Sequence, residues 1–349
     1  MKNINSGNIS TLESMIDKAA NICIVTHMRP DGDAMGSTTA MYRYLSGLGK
    51  QPKIALNDTY PANLSFLVSK EMADDIFIYE QNPEGTCNTI KGSDLIICLD
   101  FNAFHRTDKL EAPLSESHGE KILIDHHLNP SRESFRLSFS ETEVSSASEL
   151  LYHILMHTSH IDGNARKFGK ECAEALMTGM TTDTNNFANS VFPSTLHMAS
   201  TLLEAGVDRD AILNNLYNQH SENRLRLMGY MMKDLLNITE DGVAYIVLDR
   251  KTQEEYHVVE GDTEGFVNMP LSIANVRMSI LAKEDIDRIR ISIRSKKGTS
   301  ANMCARRFFN GGGHENAAGG RLYTPEDVKD IESVSDYIER ATHIFFRNE

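Results

Sequence analysis

The sequence predicts an α/β fold: an N-terminal parallel sheet with flanking helices, a helical connector, and a smaller C-terminal α/β unit. Three observations carry this expectation. Four apolar runs in the first half, 21–25, 53–56, 94–99 and 121–124, are near-continuous instead of alternating, as strands covered on both faces are. Helix-type patterning alternates with them and then takes over. The chain has 349 residues, beyond the size at which a single core usually keeps growing, so two domains are expected.

In chain order, 21–25 is a first strand, 35–48 a helix and 53–56 a second strand, followed by strands at 94–99 and 121–124. A helix over 145–157 opens on cap-type residues, and 166–179 continues as another. The stretch 194–237 reads as three helices broken near Gly206 and His220, which suits a connector. Beyond it, 243–248, 276–282 and 288–294 alternate or run apolar like strands. A helix over 299–309 and a last helix closing near Phe346 complete the chain. The expected division is therefore 1–190 as a first domain, 191–237 as connector and 238–349 as a second domain.

Composition narrows the function classes. Hydrophobic residues at 40% and charged residues at 24% suit a folded globular chain and argue against disorder. No stretch approaches the ~20 apolar residues that span a bilayer, and Met1-Lys2-Asn3-Ile4-Asn5-Ser6 lacks a signal-peptide core, so a cytoplasmic protein with no membrane partner is expected. The five cysteines are odd in number and scattered without a CxxC pair, which disfavours disulfide frameworks and thiolate metal sites. The net charge of −14 has the wrong sign for gripping a long polyanion. A nucleic-acid substrate should be short, not a long duplex, and bound cations can balance part of the acidity.

The chemistry begins in the segment from His27 to Ser37, which follows a strand and opens a helix. In an open parallel sheet, ligands bind at that edge, outside the strands' carboxyl ends. Pro30 and Gly32 turn the chain so that His27, Asp31 and Asp33 can converge. Asp100 ends the run 94–99, and Asp125, His126 and His127 end the run 121–124, all on the same edge if the strands are adjacent. One strand-terminal Asp is commonly a cap or turn residue. Several carboxylates gathered together would raise one another's pKa at a prohibitive cost unless cations compensate. Oxygen and imidazole donors without thiolate favour Mn²⁺ over Mg²⁺, with Co²⁺, Zn²⁺ and Fe²⁺ admitted. Asp183, in a loop of small polar residues, is read on its own as a turn residue.

In the second half, Gly311, Gly312 and Gly313 can turn the backbone so that successive N–H groups face an anion, with His314 adding a hydrogen bond or a charge. A helix end followed by a plain turn is the competing reading. Arg294, at the end of a strand, can hold a phosphate in bidentate fashion. Lys296 and Lys297 read as solvated turn charges.

His27-x-x-x-Asp31-x-Asp33, the isolated Asp100, Asp125-His126-His127 and Asp183, in that order, resemble the four motifs of the DHH phosphoesterases. The run from Asn310 to Gly320 is similar to the glycine-rich signature of the companion DHHA1 domain. The resemblance implies a pair of metals, with His27 and Asp31 on the first, Asp33, His126 and Asp183 on the second, and Asp100 bridging. It implies that His127 faces substrate and that Asp125 fixes an imidazole or a loop from behind. Two ions roughly 3.5 to 4 Å apart would share and activate a water, so no covalent enzyme intermediate is required. Arg294, Gly311, Gly312, Gly313 and His314 would hold the rest of a nucleotide.

The two-domain length and the stretch from Gly265 to Ile273 resemble the oligoribonuclease and 3′-phosphoadenosine-5′-phosphate (pAp) phosphatase group. The expected activity is hydrolysis of short oligoribonucleotides to mononucleotides, of pAp to AMP, or of both. A manganese-dependent inorganic pyrophosphatase, a linear or cyclic dinucleotide phosphodiesterase, and a non-catalytic nucleotide-binding module are the alternatives. A homodimer is compatible with the sequence, which does not itself specify assembly.

Overall fold

The computed structural model of the chain describes residues 4–259, 261–313 and 315–347. These fold as two compact units, Met1–Gln219 and His220–Glu349.

The first unit runs α1 (Ser6–Lys18), β1 (Ile22–Val25), α2 (Gly32–Gly47), β2 (Lys53–Leu56), α3 (Lys70–Ala73), β3 (Ile76–Ile78), α4 (Pro83–Lys91), β4 (Leu95–Leu99), α5 (Glu111–Glu116), β5 (Glu120–Asp125) and β6 (Leu137–Ser140). It ends on α6 (Ala147–Met156), α7 (Lys170–Asp183), α8 (Pro193–Glu204) and α9 (Arg209–Tyr217). Its six strands form one sheet in the order β3-β2-β1-β4-β5-β6, and every pairing is parallel. The continuous apolar runs have a simple cause. Ile22, Ile24, Ile97 and Ile124 enter the core beneath α2, α6 and α7, whereas Cys23, Val25, Ile96, Cys98 and Leu123 enter a second core with Ile90 of α4 and Leu114 of α5. With both faces covered, each position along a strand contributes about 1.5–3 kcal/mol when a Val, Ile or Leu is fully buried there.

Strand order reverses between β1 and β4, which leaves a crevice at their carboxyl ends. The helices bounding it are pressed together by glycines. A Cβ on Gly36 of α2 would lie 2.7 Å from the Ala175 carbonyl oxygen and the Gly179 nitrogen of α7, so only glycine allows this approach.

The second unit runs α10 (Glu222–Tyr230), β7 (Asn237–Ile238), β8 (Val243–Leu248), α11 (Arg250–Glu255), β9 (Met278–Glu284), β10 (Ile289–Ser295), α12 (Ala301–Phe308), β11 (Gly312–Gly313), β12 (Ala317–Leu322) and α13 (Val334–Arg347). Its sheet has the order β11-β12-β10-β9-β8-β7. β8 and β9 pair in parallel, and the other pairings are antiparallel. β10 alternates cleanly: Ile289, Ile291 and Ile293 pack with Cys304, Phe309, Ile338 and Phe345 in one core, leaving Arg290, Ser292 and Arg294 on the opposite face.

The helices expected as a connector divide between the units. α8 buries Met198, Ala199 and Leu202 and α9 buries Ile212 and Leu216 in the first core, while α10 places Leu227 with Ile246 and Phe266 in the second unit. The helix expected over 166–179 instead runs Lys170–Asp183, because Gly169 at φ 72° fixes its start. The edge strands β3 and β6 and the β11–β12 hairpin were not foreseen. β3 has three half-buried residues, and four of the six residues of β12 are glycine or alanine, so neither carries a clear apolar pattern.

Candidate metal centre

His27, Asp100, and Asp125 with His126 and His127 stand at the carboxyl ends of β1, β4 and β5, three adjacent strands. α2 begins at the same edge, with Asp31 as its N-cap accepting from the amides of Asp33 and Ala34 at 3.0 and 3.1 Å. Asp183 closes α7. A carboxylate at that negative helix end is unfavourable alone, and its position is consistent with a cation beside it.

These side chains converge. Asp100 Oδ2 lies 3.4 Å from His27 Nε2, and Asp100 Oδ1 lies 3.5 Å from His126 Nε2. His27 Nε2 is also 3.8 Å from Asp31 Oδ1. His126 Nε2 is 3.4 Å from Asp183 Oδ2 and 4.0 Å from Asp33 Oδ2. A third group, Asp100–His126–His127, shares a residue with each of two triads, His27–Asp31–Asp100 and Asp33–His126–Asp183, and within each group the donor atoms fall within 4.8 Å of one another. Asp100 stands between them, one oxygen toward each, with its backbone in the left-handed region at φ 63°, where Asp is tolerated better than most residues. Its amide is held by the Ile124 carbonyl at 3.0 Å.

The histidines are set by their second nitrogens. His27 Nδ1 lies 2.8 Å from the Met28 carbonyl oxygen, a bond that needs hydrogen on Nδ1 and directs Nε2 at the carboxylates. His127 Nδ1 lies 2.7 Å from Oδ1 of fully buried Asp125. Asp125 thus orients His127, and its carboxylate is absent from both triads. Asp33 is buried, and its two oxygens accept from the amides of Ala147 at 2.6 Å and Ser148 at 2.9 Å, the first residues of α6. That anchoring was missed in the sequence. Its legible trace is Gly179, where a Cβ would lie 2.0 Å from Ser148 Oγ and 2.8 Å from Asp33 Oδ1.

Electrostatics show what the cluster lacks in protein charge. Burial alone would lower the histidines, but Asp100 outweighs it and, with Asp31, holds His27 at about 9. Asp100, Asp183 and Asp33 likewise hold His126 at about 10. Burial and the Asp100 charge push Asp33 up to about 7, and burial and Asp33 raise Asp183 well above the carboxylate range. Burial pushes Asp100 upward too, but the neighbouring imidazoles of His126 and His27 hold it far below that range. Buried Asp100 Oδ1 makes no hydrogen bond among the described residues. An oxygen- and imidazole-lined pocket in which buried Asp100 Oδ1 lies 3.5 Å from His126 Nε2 and 3.8 Å from His127 Nδ1 without a hydrogen bond to either fits a divalent cation of the Mn²⁺ or Mg²⁺ kind.

In the second unit, Arg294 is half-buried and donates from Nη1 to its neighbour's carbonyl, Ile293 O, at 3.0 Å. The glycines serve a different physical purpose from the one expected. Gly312 and Gly313 pair with Gly319 and Ala318, and a Cβ on Gly311 would lie 1.9 Å from the Gly319 carbonyl oxygen. The Gly311 amide donates to Ala305 O and the Gly313 amide to Asn302 Oδ1, so these two do not form an open anion nest. His314 lies outside the described residues. Lys296 is no simple solvated charge, since Nζ donates to Ile273 O at 2.8 Å and Ala274 O at 3.2 Å.

Residues 21–180 match the profile of the DHH family, N-terminal domain, and 240–340 match the DHHA1 domain. The crystal structure of an exopolyphosphatase-related protein from Bacteroides fragilis is 36% identical, with a TM-score of 0.91 over 99% of this chain and 98% of that one. The chain belongs to the DHH family. This DHH protein is 28% identical over 316 residues to the bifunctional oligoribonuclease and PAP phosphatase NrnA of Bacillus subtilis (strain 168), covering 89% of this chain and 92% of that one. It is 29% identical over 309 residues to the NrnA of Thermus thermophilus, covering 86% and 84%. RecJ in complex with Mn²⁺, also from Thermus thermophilus, shares the fold at a TM-score of 0.58 and 15% identity, over 98% of this chain and 54% of that one. The DHH chain is a phosphoric ester hydrolase. Among the described residues, no helix is long and apolar enough to cross a membrane.

Proposed function

We propose that this DHH phosphoesterase hydrolyses short oligoribonucleotides to mononucleotides and pAp to AMP, using two divalent cations, of which Mn²⁺ suits the donors best. The observation that carries this reading is Asp100, whose two oxygens face two different histidines at 3.4 and 3.5 Å, the arrangement a bridging carboxylate requires. His27 and Asp31 would hold one cation, and Asp33, His126 and Asp183 the other. Such cations lower the pKa of water and offset charge on the attacking and leaving oxygens.

The chain's own groups do the rest. His127, with Nδ1 committed to Asp125, presents Nε2 to contact the scissile phosphate and to give a proton to the leaving oxygen. Asp125 keeps that imidazole in one tautomer and orientation. Arg294 and His314 would hold the remainder of the nucleotide. The names of the relatives favour short RNA and pAp as substrate classes.

The test is a parallel assay of chelated, Mn²⁺-reconstituted enzyme on a diribonucleotide, pAp and pyrophosphate. Release of mononucleotide and of AMP with pyrophosphate left intact is expected. Preference for pyrophosphate would overturn the substrate assignment while leaving the metal assignment standing.

A further inference from the structure

Resting on the reading of Asp33 and Asp183 as ligands of one cation, a further carboxylate bears on how that cation is held. Glu149 of α6 is fully buried. Its Oε2 accepts from the Ser145 amide at 2.9 Å, the Ser145 hydroxyl at 2.5 Å and the Thr195 hydroxyl at 2.6 Å. Its own amide donates to Ser146 Oγ at 2.9 Å. The loop entering α6 is thus tied to Glu149 at two consecutive residues, and the next two, Ala147 and Ser148, are those whose amides hold Asp33.

The same oxygen reaches the chain that follows the second ligand. Thr195 Oγ1, which donates to Glu149, accepts from the Phe192 amide at 3.1 Å. Phe192 ends the segment that leads from Asp183, at the close of α7, to Pro193 at the start of α8. A capping box alone would join Glu149 only to residues at the start of its own helix, and the Thr195 bond, 46 residues away, lies outside that pattern.

Burial opposes the charge on Glu149, yet the His153 imidazole and the Ser145, Ser194 and Thr195 hydroxyls hold its pKa down at about 2, so it is an acceptor without a proton of its own. Ser145, Ser146, Ser148 and Thr195 are buried as well, and no solvent stands ready to replace a lost acceptor. With the carboxylate removed, the loop must shift to satisfy its donors, and the amides that hold Asp33 shift with it. A ligand that must sit within about 0.5 Å of its working position does not keep its affinity through such a change.

We propose that Glu149 is a positioning residue of the metal centre, holding the loop before α6 and the start of α8 so that Asp33 and Asp183 meet on one cation.

The experiment is calorimetric Mn²⁺ titration of the full chain. Wild type is compared with Glu149→Gln, Glu149→Asp and Glu149→Ala, each alone and combined with Asp33→Ala, and with Leu12→Ala, a destabilising change at a buried residue of α1 outside the cluster. Glu149→Gln keeps an acceptor oxygen at the same reach and should stay within about threefold of wild type. Glu149→Asp and Glu149→Ala lose that reach and should weaken one Mn²⁺ site about 10- to 100-fold, with the other changed less than about threefold. In the Asp33→Ala background the same substitutions should alter Mn²⁺ affinity less than about twofold, because the site they act on is already lost. Leu12→Ala should lower the melting temperature and leave both affinities in place. Equal weakening of both sites, an undiminished effect in the Asp33→Ala background, or equal effects of Leu12→Ala and Glu149→Ala overturns the positioning role. So does unchanged affinity in Glu149→Asp, which decides the matter if Glu149→Ala does not fold. Because binding is read without turnover, a wild type that takes up Mn²⁺ through a Glu149-dependent site but releases neither mononucleotide nor AMP would refute the proposed activity and leave Glu149 standing. A wild type that takes up no Mn²⁺ refutes both.

Discussion

Asp125 Oδ1 lies 2.7 Å from His127 Nδ1, so the first residue of the Asp-His-His triplet orients the third and contributes to neither metal triad. The consequence is a separation of roles. Asp125→Ala is expected to lower kcat about 10- to 100-fold while leaving Mn²⁺ affinity nearly unchanged, the scale typical for a residue that orients an active histidine. Calorimetric Mn²⁺ titration beside steady-state kinetics checks this. A large loss of Mn²⁺ affinity would place Asp125 among the ligands instead.

Asp33 and Asp183 sit in the same triad but differ in what else they hold. Both Asp33→Ala and Asp183→Ala should abolish turnover. Asp33→Ala also strips the acceptors from the first amides of α6, and should cost about 0.5–2 kcal/mol of stability, the range for lost helix caps. Asp183→Asn should raise the melting temperature of the metal-free protein by a few degrees (~2–4 °C per kcal/mol), because it removes a carboxylate whose charge the fold disfavours. Calorimetry of the two variants in chelator separates these outcomes, and stabilisation by Asp33→Ala would contradict them.

The histidines make metal-free stability depend on pH in a definite direction. His27 and His126 keep their protons to about 9 and about 10 in the fold, against about 6.5 in an unfolded chain. That contribution is fully present below about pH 6.5 and is lost as pH rises through 9 to 10. Asp33, raised to about 7, acts in the same sense, since above about pH 4 the fold holds a proton that the unfolded chain has released. Melting temperature in chelator should therefore fall between about pH 6.5 and 9.5, whereas Mn²⁺, which takes the place of those protons, should flatten the curve. A metal-free melting temperature that rises over this range refutes the description of the site.

Gly179 allows α7 to lie against Ser148 and Asp33, so Gly179→Ala tests packing and site together. Overpacking of this kind costs about 1–3 kcal/mol, and here it also displaces Asp33. Lowered stability with weakened Mn²⁺ binding is expected on urea denaturation and metal titration. Gly163→Ala, at φ 70° with nothing near its Cβ position, should weaken stability without touching Mn²⁺ affinity.

The parallel sheet was legible because β1, β4 and β5 are covered on both faces and therefore read as unbroken apolar runs. Their carboxyl ends then place His27, Asp100 and His126 on one edge without further information. The anchoring of Asp33 by α6 was not legible, because it joins residues 114 and 115 positions apart through backbone amides that carry no side-chain signal. Asp183 looked like a turn residue by itself, and only its place at the end of α7, pressed against α2 by Gly36 and Gly179, brings it to His126. In the second unit the glycines were read as a turn facing an anion, whereas the requirement visible in the fold is close backbone pairing along β11 and β12.

The shared carboxylate is tested most directly by electron paramagnetic resonance of the Mn²⁺-titrated protein. Wild type should take up two ions per chain and give the signal of an exchange-coupled pair, while Asp100→Ala should bind less Mn²⁺ and show uncoupled ions only. A wild-type spectrum of isolated Mn²⁺ at saturation, or a coupled signal that survives Asp100→Ala, would contradict a centre bridged by Asp100.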